Sequence, residues 1–163
     1  MRLWFLRNKI VEAKPLPDGN VGVSWRLTDD LLKAEVNLTF QPPDLEITEA
    51  EARFERYPRP EWASVPELVK KVIGVRVGPG LRKIVPGLIG GENGCPMLVY
   101  AVLEASNAVI LHFTRPGLQV ANTIQDEEGR MARLREMLKN NPRLVRSCIS
   151  FQDDSPIMQG LDL

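Results

Sequence analysis

The clearest pattern in the chain is a strict alternation of apolar and polar residues in its first third. Every second side chain is apolar from Val21 to Thr28, and the same spacing resumes from Leu32 to Phe40. Alternation is typical of half-buried strands, and two such runs joined by a short turn predict an antiparallel hairpin. The turn contains Asp29 and Asp30, which we expect to bond nearby backbone amides, not to act as an acid/base pair.

Two further strands are predicted on either side of this hairpin. One runs from Trp4 to Ala13 and the other from Ala50 to Tyr57. The apolar positions change parity after Ile47, so a strand that continued through Thr48 and Glu49 would need a bulge or turn there. Residues from about 2 to 57 are therefore expected to form an antiparallel meander of about four strands.

Beyond residue 58 the apolar period changes from two to nearly four, which predicts helices over about residues 65–151. Ser64 and Glu67 have the spacing of a capping box, and Pro86-Gly87 is expected to break or kink the second helix. A closing segment covers residues 144–151, and we expect a loosely held tail over 152–163. The predicted helices are Val65–Ile73, Leu81–Ile89, a third from Pro96 toward His112 with Cys95 at its N-cap, and a fourth after Asp126.

These elements predict an α+β fold in which a β-meander is followed by a helical half packed on one face. The 163 residues are 44% hydrophobic and 26% charged, which is ordinary for one globular domain over 1–163. The formal net charge is zero, so nucleic acid is not an expected partner.

The same composition indicates a protein of the cytoplasm. The charged N-terminus does not have the form of a signal peptide, and the two cysteines lie far apart. The longest apolar stretch, Met97–Phe113, is shorter than the roughly 20 residues that a bilayer crossing needs. We therefore expect a buried helix there, with no membrane partner.

The chain lacks the common catalytic signatures and contains a single histidine. A catalytic triad could use only His112, which stands between Leu111 and Phe113 in the apolar run. We interpret His112 as a partly buried packing residue.

The sharpest local feature is the Gly-rich turn Gly90–Pro96, which directly precedes the third helix. Its free amides and the helix dipole predict a site for an anion, or for a Cys95 thiolate. The structural alternative is a tight turn whose glycines supply unusual φ values and whose cysteine packs as a small apolar cap. The candidate ligand-binding residues are Gly90, Gly91, Asn93, Gly94 and Cys95.

Several motifs occur in an order that resembles the bacterial domain-of-unknown-function family 2889. The motifs are WRLTDD, ITEAEARFERYP, a helix ending in Gly74, PGLRKIV, and GGENGC followed by Leu98. The family pattern implies a cysteine shortly after Tyr57-Pro58 and a Gly-Cys-Thr-His-Leu run at the third helix, which would suit a soft metal or an iron–sulfur cluster. Cys95 matches that pattern, whereas Pro96 and Met97 stand where threonine and histidine are expected.

Three functions follow as hypotheses. The leading one is a noncatalytic domain that binds a small anionic ligand or a protein partner at the Gly-rich turn, with no required cofactor. The second is a protein that binds a metal or an iron–sulfur cluster, since the order of elements is similar to that of iron–sulfur scaffold proteins. Cys95, together with Cys148, Glu61 or His112, would then hold the iron–sulfur cluster or a zinc ion. The third is an enzyme with Cys95 as the nucleophile. A homo-oligomer is left open.

Overall fold

The predicted meander is confirmed: four strands form one antiparallel sheet in the order β1-β2-β3-β4. A computed structural model describes residues 4–161 of the chain. Two parts of the predictions lie outside the described residues. They are residues 2–3, at the start of the predicted meander, and residues 162–163, at the end of the predicted tail. The strands are β1 (Asn8–Pro15), β2 (Val21–Thr28), β3 (Lys33–Gln41) and β4 (Glu46–Arg56).

The two faces of the sheet differ in burial as the alternation predicts. The apolar side chains of the two central strands are at most 4% exposed and form one face. Their polar neighbours lie on the opposite face, which we call the open face. The buried set is Val21, Val23, Trp25, Leu27, Ala34, Val36, Leu38 and Phe40.

The parity change near Thr48 is a β-bulge within one continuous strand. Thr39 pairs with Glu49, but the next residue, Phe40, pairs with Ile47, so Thr48 is the extra residue. The bulge returns Ile47 to the buried face, where its side chain is fully buried. The last strand is consequently longer than the predicted Ala50–Tyr57.

The first predicted helix is wrong in type and in start. Residues Pro60–Val72 form a 3₁₀ segment without the predicted capping box. The Ser64 hydroxyl donates to the Glu61 carbonyl (3.4 Å), and the Glu67 carboxylate accepts from Lys70 (2.6 Å). Pro66 lies inside this segment and has no amide to donate to the carbonyl of a preceding residue.

The next two helices begin where they are predicted. Helix α1 (Leu81–Ile89) continues through Pro86-Gly87, although a break or kink was predicted there; its buried face keeps it helical for nine residues. Helix α2 (Pro96–Thr123) begins directly after Cys95 and continues well past His112. The buried side chains of α1 are Leu81, Val85 and Ile89.

The length of α2 overturns the argument that its apolar run is too short to cross a membrane. The helix has 28 residues, and by length and composition alone it could span a bilayer, with a mean hydropathy of 1.4 over its most apolar window. Core helices of soluble proteins share these properties, and 44% of that window is buried inside the structure. Its first half supplies fully buried core residues, namely Leu98, Ala101, Val102 and Ala105.

The C-terminal region is better held than predicted. Helix α3 (Glu127–Asn140) is capped by the Asp126 carboxylate, which accepts from the Gly129 amide, and two short 3₁₀ turns follow at Pro142–Leu144 and Ile149–Phe151. The described part of the tail packs back through Ile157, so its predicted looseness is wrong. Ile157 joins an apolar cluster with Met137, Leu138 and Leu144, against which Met158 and Leu161 also pack.

The chain divides into two compact units at a point inside α2, residues 1–109 and 110–163. The first contains the sheet, the 3₁₀ segment, α1 and the first half of α2. The second contains the rest of α2, α3 and the tail. Because the division falls within one helix, a single domain over 1–163 stays a prediction.

Within the first unit, one carboxylate joins α2 to the buried face of the sheet. Glu104 accepts a hydrogen bond from the Trp25 indole N–H (2.5 Å), and its other oxygen pairs with the Lys9 ammonium. Trp25 is 1% exposed, so its N–H has no access to water. Glu104 therefore satisfies the one polar group of a large core side chain.

Replacing Glu104 with Ala should destabilise the first unit by about 1–3 kcal/mol, because the buried indole N–H loses its acceptor. Glu104→Gln keeps an acceptor oxygen and should lose less. All three tryptophans precede residue 110, so tryptophan fluorescence monitors the urea-induced unfolding of this unit. Equal losses for the two variants would contradict the assignment.

Asp29 closes the β2–β3 turn as a buried carboxylate, consistent with the predicted local role. Burial alone would raise the pKa of the Asp29 carboxyl, but hydrogen bonds from the amides of Leu32 and Leu31 and from Arg7 outweigh it, and the pKa falls below its ordinary value of 3.8. The amide bonds measure 2.7 and 2.8 Å, and the Arg7 Nε bond measures 2.7 Å.

A carboxylate whose pKa is lower in the folded state stabilises the fold above its unfolded pKa, and this contribution is lost as the pH falls through the folded pKa. Wild type should therefore exceed Asp29→Asn in stability near neutral pH, and the difference should shrink below pH 3.8. Urea midpoints at both pH values check this. The exposed neighbour provides the control, since Asp30→Asn should change little.

Candidate functional site

The Gly-rich turn before α2 is closed by its own backbone. Three amides that could have met an anion, those of Gly90, Gly94 and Cys95, already donate hydrogen bonds within the turn and α1. Their acceptors are the carbonyls of Pro86 (2.9 Å), Gly91 (3.3 Å) and Ile89 (2.7 Å), respectively. These donors are therefore engaged within the protein, and the Cys95 amide connects the start of α2 to the end of α1.

All three of its glycines are required by close packing or by φ. A Cβ on Gly90 would lie 2.6 Å from the Pro86 carbonyl oxygen. A Cβ on Gly94 would lie 2.2 Å from the Gly90 carbonyl oxygen and 2.3 Å from that of Ile89, where no backbone can give way. Gly91 has a φ of 72°, in the left-handed region that favours glycine. These observations support the interpretation of the Gly-rich turn as a tight turn whose glycines are needed for its backbone conformation.

The sulfur of Cys95 lies inside the protein, whereas the tip of the turn faces solvent. Cys95 is 2% exposed, and its carbonyl accepts from the Val99 amide in the first turn of α2. Gly91 and Asn93 are exposed. A reaction at Cys95 would require the turn to open, because a substrate does not reach the thiol in this arrangement.

A second candidate site, which the sequence motifs did not indicate, is a trough on the open face of the sheet. The outward residues of β2 become shorter along the strand, from Arg26 to Ser24 to Gly22. The strands on either side carry longer polar side chains, so a groove of about 620 Å³ lies over Ser24 and Gly22. Its polar walls are Glu12 and Lys14 of β1 and Glu35, Asn37 and Thr39 of β3.

Both ends of the trough carry large side chains. Arg26 stands at one end, where its guanidinium pairs with the Glu12 carboxylate. At the other end the Leu16 side chain packs over Gly22, 3.3 Å from the position a Cβ would take. Gly22 therefore gives room to Leu16, and a glycine inside a strand was the one sequence signal that could have pointed here.

The hydrogen-bonding groups along the trough differ in how they are engaged. The Asn37 amide donates to Glu35 (3.0 Å), and the Thr39 hydroxyl donates to Glu49 (3.0 Å). Within residues 4–161, the side chains of Ser24 and Lys14 have no hydrogen-bond or ion-pair partner. These two groups are free to meet a bound molecule.

Comparison with known proteins decides the family. The model of a family described as a protein of unknown function, DUF2889, matches residues 7–111, more than half of the 163-residue chain. The chain belongs to the DUF2889 family. The matched part of this DUF2889 protein contains the whole sheet, the Gly-rich turn and the trough. No curated protein and no solved structure matches the chain.

The four residues proposed as metal ligands fall in different units of the DUF2889 protein. Cys95 and Glu61 belong to the first unit, whereas His112 and Cys148 belong to the second. Cys95 is buried, and Cys148 and Glu61 are exposed. Across the part of the chain that the structure describes, no three His, Cys, Asp or Glu side chains form a group that could hold a metal ion.

His112 lies in the second unit, between two exposed apolar residues, Leu111 and Phe113. The ring is half-buried and meets Phe113 edge to face, with centroids 5.2 Å apart and planes at 89°. This contact belongs to the second unit.

Three alanine substitutions separate the roles of the glycines near the turn. Gly94→Ala should destabilise the first unit most, toward the upper end of about 1–3 kcal/mol, because the new Cβ meets backbone oxygens. Gly91→Ala should cost roughly 1 kcal/mol through its positive φ alone. Gly87→Ala, in open space within α1, should stabilise by about 0.5–1 kcal/mol. Urea unfolding gives the three values, and an unaffected Gly94→Ala variant would contradict the close approach.

Proposed function

We propose that this DUF2889 protein is a noncatalytic binding domain whose ligand occupies the trough on the open face of the sheet. The observation that carries the proposal is the groove over Ser24 and Gly22, which the register of three strands forms without any break in the sheet. Its volume of about 620 Å³ lies in the usual range for small-molecule sites, roughly 300–1,000 Å³.

The trough supports this role better than the Gly-rich turn does. Three amides of the turn are already bonded to carbonyls, and its cysteine is buried. In the trough, by contrast, the Ser24 hydroxyl and the Lys14 ammonium have no partner within residues 4–161. Free polar groups that converge on one groove are what orient a bound ligand.

The dimensions of the trough favour a small molecule over a protein segment. Gly22 and Arg26 are four residues apart, which is roughly 13 Å along a strand. The Arg26–Glu12 pair stands at one end and Leu16 at the other, so an extended chain running along β2 would meet side chains at both ends. A compact polar ligand fits between them.

The proposal is tested by filling the trough. In protein-observed NMR, a panel of sugars, polyols, hydroxy acids and amino acids should include compounds that cause saturable shifts in amides of Gly22–Ser24 and Asn37–Thr39. Ser24→Trp should abolish those shifts because the indole fills the groove.

Glu51→Trp is the matched control. Glu51 lies in the same cross-strand row as Ser24 and Asn37, on the same face but outside the trough. Its replacement should leave binding intact. Shifts confined to the Gly-rich turn, or shifts that persist in Ser24→Trp, would overturn the proposal.

A further inference from the structure

We propose that two copies of this DUF2889 protein associate through the outer edge of β1, by antiparallel pairing of β1 with β1 about a two-fold axis. Within residues 4–161, no strand pairs with the outer side of β1. The opposite edge of the sheet is covered, because the Ile47 amide of β4 donates to the Val75 carbonyl (2.9 Å) and the Gly74 amide donates to the Ile47 carbonyl (2.8 Å). The described chain thus covers one edge with its own backbone and leaves the other as a template for a further strand.

The backbone groups on the free side of β1 belong to every second residue. At the hairpin turn the Leu16 amide donates to the Asn20 carbonyl (2.8 Å), and Pro15 pairs with Val21 in the next step of the ladder. Hydrogen-bonded and non-hydrogen-bonded pairs alternate in an antiparallel ladder, so the even-numbered residues of β1 bond to β2. The odd-numbered residues turn their amides and carbonyls outward. They are Lys9, Val11 and Ala13, with Pro15 at the end of the strand.

A pairing centred on Val11 matches these outward groups with their equivalents in a second copy. Val11 then lies opposite Val11 of the second copy, and Lys9 lies opposite its Ala13. Each of these residues exchanges two hydrogen bonds with the residue opposite, which gives about six bonds in all. The two-fold axis makes both halves of the interface identical, as in most homodimers.

Neighbouring registers fit less well. A two-fold antiparallel pair keeps the buried faces of both sheets on one side only when it is centred on a residue, so the alternatives are centred on Ile10 or Glu12. Centring on Ile10 would bring Ala13 opposite Arg7, which precedes the strand. Centring on Glu12 would bring two glutamates directly opposite each other, which is destabilising. The register centred on Val11 has neither fault.

Exposed apolar side chains are concentrated at the same edge. Four large ones within seven residues are between 51% and 86% exposed, namely Trp4, Phe5, Leu6 and Ile10. Such a concentration marks an interaction surface, whereas single exposed apolar residues do not. In the register centred on Val11, Ile10 lies opposite Glu12 of the second copy, and Leu6 continues toward the second copy's Leu16. The pairing therefore adds apolar contact to the backbone hydrogen bonds.

Sedimentation of the full chain over a range of concentrations should show a monomer–dimer equilibrium. In the dimer, the amides of Val11 and Ala13 should exchange slowly with solvent deuterium, and dilution to the monomer should make them fast. The Glu12 amide provides the internal control, because β2 protects it in both states. A chain that stays monomeric up to its solubility limit would overturn the proposal, and so would a dimer in which Val11 and Ala13 still exchange fast.

Two charges at position 10 test the register. Ile10→Glu should weaken the dimer about tenfold, because a glutamate then faces Glu12 of the second copy at two equivalent places. Ile10→Lys, its matched control, places an opposite charge there and should leave the dimer intact. Within one copy the preference is reversed, since Ile10 pairs with Arg26 of β2, so monomer stability cannot produce this order. Equal weakening by the two charges would contradict the register.

Val11→Pro tests the backbone pairing itself. Proline removes an outward amide at the centre of the interface and no hydrogen bond to β2, so the variant should fold and remain monomeric. Val11→Ala removes a similar amount of side chain but keeps the amide, and it should still dimerise. A Val11→Pro variant that dimerises as well as Val11→Ala would overturn the proposal.

Discussion

The arrangement of the first unit depends on the contact of Glu104 with Trp25 and Lys9. Trp25 lies at the centre of the buried face, and its indole N–H would be unsatisfied if α2 brought only apolar side chains to the sheet. Glu104 supplies the acceptor while its second oxygen holds Lys9 of the edge strand. One carboxylate thus links a central strand, an edge strand and the core helix on the apolar face of the sheet.

Covering one face leaves the other to solvent, and the trough is a consequence. The open face is lined mainly by long charged side chains that pair with one another, such as Arg26 with Glu12 and Lys33 with Glu55. Where β2 carries Ser24, no long side chain fills the space between its neighbours, and Leu16 packs over the next outward residue, Gly22. The floor of the groove is therefore set by side-chain length on one strand, and its walls are set by register.

Local sequence patterns were sufficient for most of the fold, because they report on short-range constraints. Alternation predicted the bounds of β2, parity predicted a bulge or turn near Thr48-Glu49, where the structure has a bulge, and Asp126 was predicted as a helix start. Two expectations differed from the structure for separate reasons. Pro60–Val72 is a 3₁₀ segment where the capping pattern suggested an α-helix, and Ile157 packs into an apolar cluster from a tail that was expected to be loosely held. The trough could not be predicted from spacing, since it depends on which residues of β1, β2 and β3 become neighbours.

The Gly-rich turn shows how a motif can be prominent for a structural reason. Its glycines attracted attention as a ligand site, yet Gly94 is needed because two carbonyl oxygens approach within 2.3 Å of its missing Cβ. The Cys95 amide donates to the Ile89 carbonyl at the end of α1, so a short, hydrogen-bonded turn connects the two helices. A turn under such steric constraint would retain its glycines whether or not a ligand ever bound there. Gly22 is a different case, because its missing Cβ admits the Leu16 side chain, which closes one end of the trough on the open face.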